Sequence, residues 1–145
     1  MFDFLLSPSI TSRKMAIYIS LFFLCALNLA LFRFLWAHSS VQNIADALFL
    51  ISFPLFIFCV IFACIYTLLL PYIGKPILIF LIIAGAVANY VMFNLGVFID
   101  ADMIRNMAET NTREARDLIT WSGALWVLWG GVLPSIWIAT RKIIW

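Results

Sequence analysis

Four runs of apolar residues, each about twenty long, dominate the sequence: roughly residues 15–36, 47–70, 76–95 and 121–140. About twenty residues at a 1.5 Å rise cross a hydrocarbon core about 30 Å thick. The runs are apolar on every face, so helices are predicted. A membrane strand needs only about 9–11 residues, with strict alternation. Composition agrees: apolar residues make up 66% of the chain and charged residues 11%, against about 45–50% and about 25% in soluble domains. That is too little polar surface to coat a water-soluble globule. Disorder, collagen and secreted disulfide scaffolds are excluded as well. The net charge of +2 offers no basic stripe for nucleic acid.

The expected fold class is all-α: a polytopic bundle of four transmembrane helices. Arg13 and Lys14 precede the first run as a signal peptide's basic region would. The run itself exceeds the 7–15 residues typical of such a peptide, so it is read as a retained span. Pro54 and Pro134 fall inside spans, where neighbouring helices re-satisfy freed carbonyls. Pro76 suits an early helical position. Gly123, Gly130 and Gly131 mark a candidate close helix contact. Cys25, Cys59 and Cys64 lie inside apolar runs and are expected as small buried hydrophobes rather than a disulfide or a metal site. With four spans, Arg13, Lys14, Lys75, Arg141 and Lys142 share one side, and Arg33, Arg105, Arg113 and Arg116 the other. That count favours cytoplasmic termini. Trp36 and Trp121 then mark the outer interface, and Tyr18, Tyr72 and Trp145 the inner one.

Between the third and fourth spans lies the one substantial polar stretch, 96–120, with five of the seven acidic residues: Asp100, Asp102, Glu109, Glu114 and Asp117. Met103, Ile104, Met107, Ala108, Ala115 and Leu118 recur at roughly helical spacing, which predicts a periplasmic amphipathic helix over about 100–118. Asn106, Thr110 and Glu114 are four apart and share one helical face. Such an amide, hydroxyl and carboxylate suit a zwitterionic lipid head group, the carboxylate meeting an ammonium and the neutral donors a phosphate. The same spacing also fits a solvated polar face. Asn28, mid-span, is expected to bond a neighbouring helix, and Asn89 and Asn94 to line the bundle or its outer end. His38, the single histidine, reads as ordinary surface. One histidine cannot make the multi-histidine shell of a typical zinc site, and neither a phosphate loop nor a Ser-His-Asp set is present.

The residues Tyr90, Gly96-Val97, Ile99-Asp100, Met103-Ile104, Asn106, Thr110 and Glu114-Ala115, at their spacing, resemble the membrane domain of bacterial lipid A phosphoethanolamine transferases, which include the mobile colistin-resistance enzymes. Asn28 before Phe32, Ser52-x-Pro54, Lys75-Pro76 and Gly131-Val132-Leu133-Pro134 are similar in order, so the resemblance runs over almost all of the chain. It implies five membrane helices joined to a periplasmic α/β domain that carries zinc and a threonine nucleophile. It further implies transfer of phosphoethanolamine from phosphatidylethanolamine to a phosphate of lipid A, which weakens polymyxin binding. Asn106, Thr110 and Glu114 match positions thought to hold the head group, and the bacterial inner membrane is the implied location.

The sequence departs from that pattern by stopping at Trp145, so the fifth span and the periplasmic domain are expected to lie outside this chain. No catalytic residue, metal ligand or cofactor is expected within it, zinc being implied only for the missing domain. Alone, it is expected to be inactive. Two other readings stay open on the residues themselves: a small four-helix transporter, and a non-enzymatic assembly subunit. Proton-coupled transport generally needs an ionisable group inside a span, and the spans carry no interior Asp or Glu. Asp46 stands at a span's entrance.

Overall fold

The computed structural model describes residues 9–39, 41–95, 105 and 120–144. A short strand, β1 (Ser9–Thr11), leads into helix α1 (Ser12–Phe22). A π-helical segment, Phe23–Leu27, and α2 (Leu29–His38) complete the first apolar run. The helices α3 (Ile44–Leu68) and α4 (Gly74–Leu95) follow. On the far side of the polar stretch, α5 (Trp121–Val127), a second π-helical segment (Leu128–Val132) and α6 (Leu133–Thr140) form one rod. Strand β2 (Lys142–Ile144) comes after it.

Among the described residues, three helices are long and apolar enough to cross a membrane: Ile44–Leu68, Gly74–Asn94 and Trp121–Thr140. The first run, expected as a single helix, is broken at Asn28. Its parts, Ser12–Leu27 and Leu29–His38, bend by 53° and add a fourth crossing if the pair is one span. The amphipathic helix expected over 100–118 lies outside the described residues, apart from the exposed Arg105.

The break has a local cause and a distant support. Asn28 sits at φ −114°, ψ 21°, outside the helical basin. Its Nδ2 donates to Phe23 O at 2.9 Å. The expectation that Asn28 bonds a neighbouring helix is therefore corrected: it caps its own π-turn. The bond between helices comes from the other direction. Asn89 of α4, fully buried, donates from Nδ2 to Ala26 O at 3.1 Å and accepts at Oδ1 from Ala30 N at 3.3 Å. A backbone group freed inside a membrane has no water to turn to and must find a protein partner.

Met15, Ala16 and Ile19 of α1 pack with Ile65, Leu69, Leu78, Ile82, Ile138 and Ile143 in the main core. Most of α3 faces outward, with Ile51 74% and Leu55 64% exposed. In water that face would be an aggregation liability. Against lipid tails, as apolar as leucine itself, it is at no disadvantage. The three cysteines are free and also exposed, which corrects their expected burial: they lie on outward faces, where a bilayer replaces the core.

Polar residues start and stop the helices. Asn43 Oδ1 accepts from Asp46 N at 2.9 Å, and Asp46 Oδ2 accepts from Asn43 N at 3.1 Å. This reciprocal pair gives acceptors to two of the backbone donors that a helix start leaves unsatisfied. Between α3 and α4 the chain reverses tightly through Tyr72 at φ 72°, with Ile73 N donating to Pro71 O at 2.9 Å, a three-residue γ-turn. At this end β1 and β2 pair in parallel, Ser9 opposite Lys142, Ile10 opposite Ile143 and Thr11 opposite Ile144. Lys75 Nζ donates to Arg141 O and, at 3.4 Å, to Ala139 O, which ties the start of α4 to the end of α6.

Candidate functional site

The two ends of the bundle differ in chemistry. One, the terminal end, holds β1, β2 and the start of α4. The other holds the exit of α4 at Leu95 and the entry of α5 at Trp121, the two points that the polar stretch connects. Asn106, Thr110 and Glu114 belong to that stretch and lie outside the described residues, so the structure neither brings them together nor separates them. What it describes is their frame.

The frame is made of hydroxyls and rings. Tyr90, on the last turns of α4, hydrogen-bonds the Thr120 hydroxyl through its phenol. The same phenol lies 3.3 Å from Ser122 Oγ, and Thr120 Oγ1 and Ser122 Oγ are 2.9 Å apart. Thr120 Oγ1 also accepts from Gly123 N at 3.2 Å, the usual role of a threonine at a helix start. The contact is close because residue 123 has no side chain: a Cβ there would stand 2.8 Å from the Tyr90 ring. Phe93 and Trp126 extend the packing, with ring centroids 5.3 Å apart, and the Arg33 guanidinium lies 5.1 Å from the Phe93 centroid. Asn94 donates to Tyr90 O at 3.1 Å.

Just below this frame, a groove of about 470 Å³ opens between the broken helix and the rod. Phe22, Ala26, Leu27, Ser122, Trp126 and Gly130 are among its lining residues. It is apolar along its length and reaches the hydroxyl cluster only at Ser122.

Sequence reasoning missed the Tyr90–Thr120–Ser122 cluster. The available signal was a tyrosine one turn before the end of one apolar run and a Thr-x-Ser opening the next. His38, read as ordinary surface, sits at the end of α2 with Nδ1 3.0 Å from Phe34 O. Asp46, the one described carboxylate, is engaged in the capping pair. The zinc that the resemblance implies has no ligand set among the described residues, where no three of His, Cys, Asp and Glu converge. The chemistry on offer here is hydrogen bonding, stacking and burial, which can position a ligand.

Fold and frame together define a multi-pass helical membrane domain with a polar platform at one end. Residues 55–145, more than half of the chain and including the polar stretch, match the family model described as phosphoethanolamine transferase EptA/EptB. The chain belongs to that family. It is 31% identical over 126 residues to the phosphatidylethanolamine transferase Mcr-2 of Escherichia coli, covering 86% of this chain and 23% of that protein. It is 28% identical over 128 residues to the phosphoethanolamine transferase EptA of Escherichia coli O157:H7, covering 88% and 23%. The structure superposes on the integral membrane lipooligosaccharide phosphoethanolamine transferase A of Neisseria meningitidis with a TM-score of 0.83 at 25% identity, covering 95% of this chain and 26% of that one. The chain thus spans about a quarter of the length of these relatives. The family match favours the transferase resemblance over the transporter and assembly-subunit readings.

Proposed function

We propose that this chain is the membrane part of a phosphoethanolamine transferase, anchoring the enzyme and holding the head group of its donor lipid. The observation that carries the proposal is the family match across 55–145, which runs through the polar stretch with Asn106, Thr110 and Glu114 inside it. The donor is phosphatidylethanolamine and the acceptor a phosphate of lipid A. The phosphoethanolamine group leaves diacylglycerol and joins the acceptor. Its ammonium adds positive charge to the outer surface and weakens the hold of cationic polymyxins. Threonine and zinc chemistry belongs to the periplasmic domain that the resemblance implies.

Within this chain the work is positional. Glu114 meets the ammonium of the head group, while Asn106 and Thr110 donate to its phosphate. The Tyr90–Thr120–Ser122 cluster draws together the two points where the polar stretch joins the bundle, which supports a head-group site held close to the membrane surface. Fixing a donor over a reactive centre contributes several kcal/mol to lowering a barrier. The broken first run is taken as one span, four in all. The excess of Lys and Arg at the terminal end supports cytoplasmic termini, with 96–120 periplasmic and the whole in the bacterial inner membrane.

The test uses the full-length protein in a polymyxin-sensitive Gram-negative host. Asn106→Ala and Glu114→Ala are each expected to lower lipid A modification, read by mass spectrometry, by about tenfold or more, the loss of one hydrogen bond to a charged group. Protein level and zinc content are expected to hold. Unchanged modification in both variants would overturn the site assignment, and proton-coupled solute uptake in proteoliposomes would overturn the transferase reading.

A further inference from the structure

Five cations gather at the terminal end. Arg13 and Lys14 stand in the first turn of α1, directly after β1, and Lys142 lies in β2 opposite Ser9. Lys75, in the first turn of α4, donates to Arg141 O. Among the described residues no carboxylate faces them: Asp46 lies at the opposite end of α3, inside its capping pair. Gathering like charges is unfavourable unless something of opposite sign relieves them.

Two details show where that relief is needed. Arg141 has its Nε buried with no hydrogen-bond partner, while its guanidinium lies 5.2 Å from the Trp137 ring centroid. A buried donor left unpaired is costly. Lys75 engages two of its three N–H groups on the carbonyls of Ala139 and Arg141, leaving a third. Beside them is a pocket of about 230 Å³ lined by Tyr72, Lys75, Lys142 and Ile143. It therefore presents two ammonium groups together with a phenol ring and an aliphatic side chain. Its level is fixed by the helices, because Lys75 and Arg141 sit where the Gly74–Asn94 and Trp121–Thr140 crossings end, at the boundary between hydrocarbon and water.

We propose that this pocket binds the phosphate of an anionic phospholipid of the phosphatidylglycerol or cardiolipin class, with Lys142 and Lys75 on the phosphate and Tyr72 against the glycerol. A free anion would need the cations alone. The Tyr72 ring and Ile143 beside the two ammonium groups, at the level where the crossings end, fit a group that arrives on an acyl anchor, and basic pockets between membrane helices bind such head groups. The site lies at the opposite end of the bundle from Leu95 and Trp121, the points the polar stretch connects, and does not depend on the transferase reading.

The test is lipid retention by the full-length protein purified in detergent, counted by native mass spectrometry after exposure to phosphatidylglycerol or phosphatidylcholine. The wild type is expected to keep phosphatidylglycerol in several-fold excess, including at salt concentrations that screen exposed charges. Lys142→Gln is expected to reduce that excess by about fivefold. Lys142→Arg, which keeps the charge, retains it, and so does Arg33→Gln at the other end. Retention without preference for the anionic lipid would overturn the proposal. Equal loss in Arg33→Gln would reduce the effect to net charge and overturn the site. Displacement of the lipid by millimolar inorganic phosphate would make it a free-anion site and overturn the lipid.

Discussion

A carboxamide with no exposure to solvent has to engage both of its ends, and Asn89 does so on a backbone that is not its own. Its Nδ2 and Oδ1 meet Ala26 O and Ala30 N, on either side of the break at Asn28. Asn89→Leu keeps the volume and removes both partners. Leaving buried polar groups unpaired costs about 1–3 kcal/mol, and hydrogen bonds between membrane helices run nearer ~0.6 kcal/mol. Two such bonds lead us to expect a loss of about 1–2 kcal/mol, read as an earlier unfolding midpoint in mixed micelles. Asn94→Leu is the control: Asn94 is exposed and, among the described residues, bonds only Tyr90 O of its own helix, so a change within about 0.5 kcal/mol is expected. Equal losses in the two variants would remove Asn89's special role. That Asn89 lines the bundle was legible from a lone amide in an apolar run. Its partners were not, because they lie 59 and 63 residues away in sequence.

Hydropathy places elements well where burial in lipid is the whole cause of the element. The helices Ile44–Leu68, Gly74–Leu95 and Trp121–Thr140 fall on apolar runs that were plain in the sequence. It is silent about breaks, since a π-turn and a single asparagine leave mean apolarity almost unchanged. The Asn43-x-x-Asp46 capping pattern is present in the sequence at the polar edge of a run, where hydropathy carries no signal for it. Glycine packing is intermediate: Gly130 and Gly131 announced a contact, and the structure separates their roles. A Cβ at Gly130 would meet Ala86 Cβ at 3.6 Å, ordinary contact, but one at Gly131 would stand 3.3 Å from it and 3.5 Å from the backbone at Ile83. Alanine favours a helix over glycine by about 1 kcal/mol. Gly130→Ala is therefore expected to be neutral or stabilising by up to about 1 kcal/mol. Gly131→Ala forfeits that gain by pressing α4 away. Gly131→Leu overpacks the contact and is expected to cost about 1–3 kcal/mol. Unfolding midpoints of the three variants give the order, and a Gly131→Leu protein as stable as the wild type would mean that the rod and α4 do not meet there.

At the scale of the molecule, the pairing of β1 with β2 turns a succession of helices into a closed arrangement, with the start of the first helix held against the end of the last rod. The positive residues flanking the spans made this end visible in the sequence as a charged rim. The pairing itself was not visible, because three-residue strands are too short to carry a period. Nor was the polar platform at the other end, whose hydroxyls come together only once α4 and the rod are packed. An isolated two-stranded sheet is marginal in water; this one is seated on the core through Ile143, 8% exposed, with Ile10 packed beside it. The register of this closure is testable in membranes after replacing Cys25, Cys59 and Cys64 with alanine. Thr11 and Ile144 are opposite one another and both exposed. Neighbouring strands lie about 4.8 Å apart, within the Cα separation of about 4.4–6.8 Å that a disulfide spans. Thr11→Cys with Ile144→Cys is therefore expected to crosslink rapidly under mild oxidant. Thr11→Cys with Lys142→Cys is two residues out of register, which adds a displacement of about 6.6 Å along the strand and takes the pair out of reach. Comparable crosslinking in both pairs would mean that the ends meet without a fixed register, and no crosslinking in either would mean that the molecule is open at this end.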